Sequence, residues 1–208
     1  MNNKIHAKTS SQCLKILSII GALYICIVLN WLVGIVTVGL IMVTTLIIFA
    51  TPVFKKSPQK YLIDSAISLL YLLHIIAMAK GLYEHGNIDL LLHTYGGFLC
   101  FFAIWIIATQ QKKKLSIKTI CLIGILGTLC IGALWEGFEW MWDTAMEYSN
   151  MPKAQKGTID TITDMLANGG GAVLAAVSIQ IKHIYKKVIN IHIPPQSKKL
   201  SIDQKIVV

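Results

Sequence analysis

Three stretches of this chain carry side chains able to do chemistry. Asp89 and His93 stand four residues apart. Glu136, Glu139 and Asp143 stand at i, i+3 and i+7, and Asp160, Asp164 and Asn168 at i, i+4 and i+8. On helices, each set shares one face. Carboxylates with an imidazole form the hard, oxygen-rich donor set that a divalent cation takes, and they are also general acids and bases. Glu136, Glu139, Asp160 and Asp164 are therefore the expected metal holders, with His93 as a further ligand or as the proton-transfer group. His93, Glu136 and Glu139 form the candidate catalytic set, and a divalent metal cation is the cofactor these residues would take. An interhelical hydrogen-bond network that only pins helix packing would use the same residues, and it stands beside this reading as the structural alternative.

Composition places these residues in a membrane. Of 208 residues, 55% are apolar and only 14% charged, and the mean hydropathy is +0.64. A soluble domain carries about 25% charged residues, so a soluble fold is excluded, as are a disordered chain, a coiled coil and a disulfide scaffold. All 19 basic residues are Lys, which removes the bidentate fork that Arg offers to phosphates. The net charge of +9 comes without a nucleic-acid-binding motif, so no nucleic-acid partner is expected. Five cysteines form no CxxC pair and read as small buried hydrophobes.

A hydrocarbon core about 30 Å thick needs ~20 apolar helical residues. Six runs qualify, at about 14–29, 31–50, 61–80, 90–109, 117–140 and 160–181. The expected fold is an all-α polytopic membrane helix bundle, one transmembrane domain over 1–181 with a basic cytoplasmic tail over 182–208. The first run follows Lys4, Lys8 and Lys15 like a signal-peptide n-region, but no small-x-small cleavage site follows it, so it reads as a retained anchor. Every Lys except Lys80, Lys153 and Lys156 falls in the N-terminal tail, near residues 55–60, near 112–118 or after Ile181. The acids gather on the opposite side, between Glu84 and Asp164. The positive-inside rule then predicts both termini in the cytoplasm, with the loops near Glu84 and Asn150 outside.

In this frame His93 lies about 5 Å below the outer start of its span and Asp164 about 6 Å below the start of its own, at 1.5 Å per residue. Glu136 and Glu139 fall near the outer end of the fifth helix. Separate helices thus present acids and imidazoles at one depth, in the outer leaflet, where unpaired charge is costly. Other polar positions have plainer readings. Trp135, Trp140 and Trp142 suit an interfacial belt. Glu84, Asp143 and Glu147 suit solvated loops, and Asp64 suits snorkelling or pairing with a nearby Lys. His74 suits a packed polar position, and Pro194-Pro195 a break in the tail helix.

The order Asp89-x-x-x-His93-x-x-x-Gly97-Phe98, then Glu136-x-x-Glu139-Trp140, then Gly157 with Asp160-Thr161-x-x-Asp164-Met165 resembles the YjdF-like bacterial inner-membrane proteins, and more remotely the VanZ-like proteins. The resemblance spans about Leu82 to Ala176. Thr94 stands where the family often has an aromatic after its motif His, and Thr158 where an acid often follows its motif Gly. What the resemblance implies is a multi-pass protein of the bacterial plasma (inner) membrane with no established activity.

Three function classes fit. One is a metal-assisted hydrolase or transferase acting at the outer face on a lipid or lipid-linked substrate, the bilayer being the obligatory partner. No zincin helix, nucleophile elbow or phosphatase signature accompanies it. Another is a cation- or proton-coupled binding or transport protein, though paired broken helices are not visible. The third is a structural membrane subunit whose polar cluster only fixes packing.

Overall fold

In the computed structural model of the chain, the described residues are 2–28, 30–55, 59–84, 87–111, 115–145, 153–154 and 156–192. Among them there is no strand. The helices are α1 (Asn2–Val28), α2 (Trp31–Ala50), the short α3 (Pro52–Lys55), α4 (Lys60–Ala79), α5 (Ile88–Thr109), α6 (Ile117–Ala145) and α7 (Thr158–His192), with a 3-10 turn at Leu82–Glu84. All but α3 are long and apolar enough to cross a bilayer. The protein is an all-helical, multi-pass membrane bundle.

Local chemistry explains the breaks. Asn30 caps α2, its side-chain oxygen accepting from the amides of Leu32 at 2.9 Å and Val33 at 3.3 Å, as an N-cap Asn does for the first unsatisfied donors of a helix. Pro52 ends the α2 path and opens α3, where its missing N–H costs nothing. Gly81, at φ 63°, lets the chain turn out of α4 in a left-handed conformation that a Cβ would disfavour. The Ser116 hydroxyl accepts from the Thr119 amide at 3.1 Å and so caps α6.

Two compact units are present, Met1–Ala176 and Val177–Val208. In the first, α1 packs mainly on α4 and α2, α5 on α6, and α4 on α5. Ala22, Ile25, Val33, Ile41 and Ile75 form an apolar core among α1, α2 and α4, with Trp142 packed against it. Near the other end of α2, Ile48, Phe54 and Ile106 form another. Large apolar side chains such as Ile27, Leu134 and Leu166 point outward, as expected where the surrounding solvent is hydrocarbon. The second unit is described as far as His192 and is helical over that stretch. Pro194-Pro195 and Glu147 lie outside the described residues.

The α1–α4 contact adds to the sequence reading. The first helix starts at Asn2, ahead of the apolar run at about Leu14, and Lys15 is the nearby Lys with which Asp64 pairs. Its ammonium donates to both Asp64 oxygens, at 2.7 and 2.9 Å, while Ser11 hydrogen-bonds the same carboxylate. Asp64 is 2% exposed. One turn on, the Ser18 hydroxyl donates to the Ser68 carbonyl at 2.9 Å. The Lys15 ammonium also sits 5.1 Å from the Phe49 ring centroid, a cation–π position. Among the cysteines only Cys121 is buried; Cys13 and Cys130 are exposed and all five are free.

Candidate functional site

The site is assembled on α5, α6 and α7, and glycines let these helices meet. A Cβ on Gly97 would collide with the Asn168 backbone carbonyl, and one on Gly171 with that of Thr94, so α5 and α7 touch backbone to backbone. On α6, Gly132 faces the Asn168 amide and Met165, and Gly124 faces the ring of the fully buried Phe101.

This close approach makes His93 the hub of the cluster. Its ring is 8% exposed. Nε2 lies 3.6 Å from Asp89 Oδ1, one turn away on α5, and 3.8 Å from Asp164 Oδ2 on α7. Nδ1 lies 3.8 Å from Glu136 Oε1 on α6 and 3.1 Å from Asn168 Nδ2. Glu136 and Asp164 are buried, at 5% and 3% exposed. Asp89, His93 and Asp164 offer donor atoms within 4.8 Å of one another, and so do His93, Glu136 and Glu139. Four carboxylates about one imidazole cannot all stay ionised in a low-dielectric site without a cation or protons among them. The arrangement can hold a divalent cation or exchange protons.

Of the residues singled out from the sequence, His93, Glu136, Glu139 and Asp164 are thus brought together. Asp160 belongs to neither ligand-spaced group: its Oδ2 accepts from the Lys156 amide at 2.9 Å, at the start of α7. Asp89 enters the cluster, although the sequence reading left it out of the ligand set; its i, i+4 spacing to His93 was the available signal. Trp135 does more than line an interface, because its indole N–H donates to Glu139 Oε1 at 2.7 Å. Asp143 is not a bare loop charge either, since Oδ1 accepts from the Ala154 amide at 2.8 Å.

A second layer lies behind the cluster. His74 Nδ1 and the Tyr83 hydroxyl are 2.5 Å apart, and the Lys156 ammonium donates to the Tyr83 carbonyl at 2.9 Å. This ties the α4–α5 connection to the segment leading into α7. Burial, with Asp89 and Glu139 nearby, holds the Tyr83 phenol well above its ordinary range, so it stays a neutral hydrogen-bonding group at physiological pH.

No curated protein and no solved structure matches the chain. A family model described as "Predicted membrane protein (DUF2238)" matches residues 11–184, a stretch that takes in all five cluster residues and the Lys15–Asp64 pair. The chain therefore belongs to the DUF2238 family of predicted membrane proteins.

Proposed function

We propose that this is a multi-pass protein of the bacterial inner membrane whose outward-facing cluster binds a divalent cation for hydrolysis or group transfer on a lipid or lipid-linked substrate. The observation that carries the reading is that Asp89, His93, Glu136, Glu139 and Asp164, from three helices, form two ligand-spaced groups sharing His93, with His93, Glu136 and Asp164 buried. Two roles follow from the chemistry of these groups. The cation would polarise a substrate oxygen and acidify a bound water, and a glutamate of the Glu136/Glu139 pair would take or return the proton. The motif order from Asp89 to Asp164 supports a YjdF-like kinship within the family.

The cation claim is tested by thermal unfolding of wild type and Asp164→Asn in detergent, with and without chelator. A bound ligand stabilises the folded state by mass action. Wild type should therefore lose Tm on chelation while Asp164→Asn should not, so the two curves differ in divalent-containing buffer and converge in chelator. A wild-type Tm indifferent to chelator and to added divalent cations would leave the packing network as the better account.

Orientation is tested separately. The Lys distribution supports a cytoplasmic N-terminus and an external α6–α7 connection. In a background lacking the native cysteines, Lys153→Cys should react with an impermeant thiol reagent in intact cells. Reaction only after permeabilisation would turn the site inward.

A further inference from the structure

We propose that the cation is held by Asp89, His93 Nε2 and Asp164, and that Asn168 is the positioning residue that fixes the imidazole from its Nδ1 side. This rests on the cation-binding reading above and divides the cluster that it treats as one.

The geometry about Nε2 is that of a shared ion rather than of direct bonding. Its separations of 3.6 Å from Asp89 and 3.8 Å from Asp164 are too long for hydrogen bonds. Two donors each ~2.0–2.1 Å from one ion lie about 3.3–4.2 Å apart as their angle opens from tetrahedral to linear. Asp164 is 3% exposed, and its carboxylate makes no hydrogen bond among the described residues. A buried carboxylate aimed at an imidazole nitrogen across such a gap leaves room for a cation between them. Three protein ligands with open positions remaining is the pattern of a catalytic rather than a structural metal site.

On the Nδ1 side Glu136 Oε1 also stands 3.8 Å away, but a nearer group already engages that nitrogen. Asn168 Nδ2 lies 3.1 Å away, and its amide is only 7% exposed. Gly97 and Gly132 make this possible, because a Cβ at either would meet Asn168. An amide suits both states of the ring. Its N–H donates to a bare Nδ1 when Nε2 carries the proton. When a cation takes Nε2, the proton resides on Nδ1, and a half-turn of the amide brings Oδ1 to accept it. A metal-bound His commonly donates its other N–H to a carbonyl or carboxylate in this way. Glu139, bonded to Trp135, then lies outside the cation's ligands.

The test uses purified full-length protein and Co2+, whose visible absorption reports its ligands, with Zn2+ as competitor. Asp89→Asn and Asp164→Asn should weaken Co2+ binding more than 100-fold. Asn168→Leu, which removes no ligand, should weaken it about 10–100-fold. Asn168→Asp, which can still accept from Nδ1–H, should restore binding to within a few-fold of wild type, and Glu139→Gln should bind within a few-fold as well. If Asp89→Asn does not yield monodisperse protein, Asp89→Glu replaces it and should shift both the affinity and the absorption bands. A wild-type-like Asp89 variant together with a binding-defective Glu139→Gln would assign the ion to the other side of the ring and overturn the proposal. Equal losses in Asn168→Leu and Asn168→Asp would remove the role of Asn168. Failure of wild type to bind either ion would instead overturn the cation-binding reading itself.

Discussion

Lys15→Met is expected to destabilise the protein by about 3–5 kcal/mol, the cost typical of removing one partner from a buried ion pair. Asp64 is 2% exposed and receives two hydrogen bonds from the Lys15 ammonium. Without that ammonium, the carboxylate keeps only Ser11 as a hydrogen-bond partner among the described residues. The double variant Lys15→Met/Asp64→Leu should recover most of the loss, because replacing both partners with apolar groups also removes the desolvation penalty. Reversible unfolding in mild detergent measures all three proteins. A single variant as stable as wild type would mean that the pair contributes little to holding α1 on α4. A double variant as unstable as the single would mean that Lys15 acts through its packing, against Phe49 for instance, rather than through its charge.

Neighbouring glycines should respond with opposite signs. Gly97→Ala and Gly171→Ala each force a Cβ against the backbone of the facing helix, at the Asn168 and Thr94 carbonyls. Backbone cannot swing aside as a side chain can, so α5 and α7 must separate. The expected loss is about 2–3 kcal/mol, at the upper end for overpacking, and cation binding should weaken with it because His93 and Asp164 lie on the two separated helices. Gly96→Ala and Gly170→Ala meet nothing within 4 Å. They should be neutral or gain up to about 1 kcal/mol from helix propensity. Thermal unfolding of the four single variants decides this. Equal losses within each pair would show that propensity or lipid contact, not the α5–α7 approach, governs these positions.

Much of the architecture was legible because a membrane constrains sequence so tightly. Every backbone polar group must be satisfied within the bilayer, so an apolar run of span length has to be a helix. Helices α2, α4, α5, α6 and α7 begin within two residues of the apolar runs at about 31, 61, 90, 117 and 160. α1 extends beyond its apolar run, because Ser11 and Lys15 continue the helix and meet Asp64 of α4.

The candidate site divides the same way. Residue type and helical period alone picked out His93, Glu136, Glu139 and Asp164, since acids in a scarce-charge chain stand out and i, i+3 or i, i+4 spacing places them on one face. Periodicity cannot say which face turns to which neighbour. That choice is made by the close approach of α5 and α7 at Gly97 and Gly171, and of α6 at Gly132. It brings Asp164 and Asn168 of α7 onto the two nitrogens of His93, where Asp89 already stands one turn away on α5, and leaves Asp160 at the mouth of α7 with the Lys156 amide. Sequence determined the helices and the helix face each ionisable group shares, because those follow from apolar run length and helical period along a single chain. The partners of each group were decided only by tertiary structure, because steric contact between distant segments leaves no period to read.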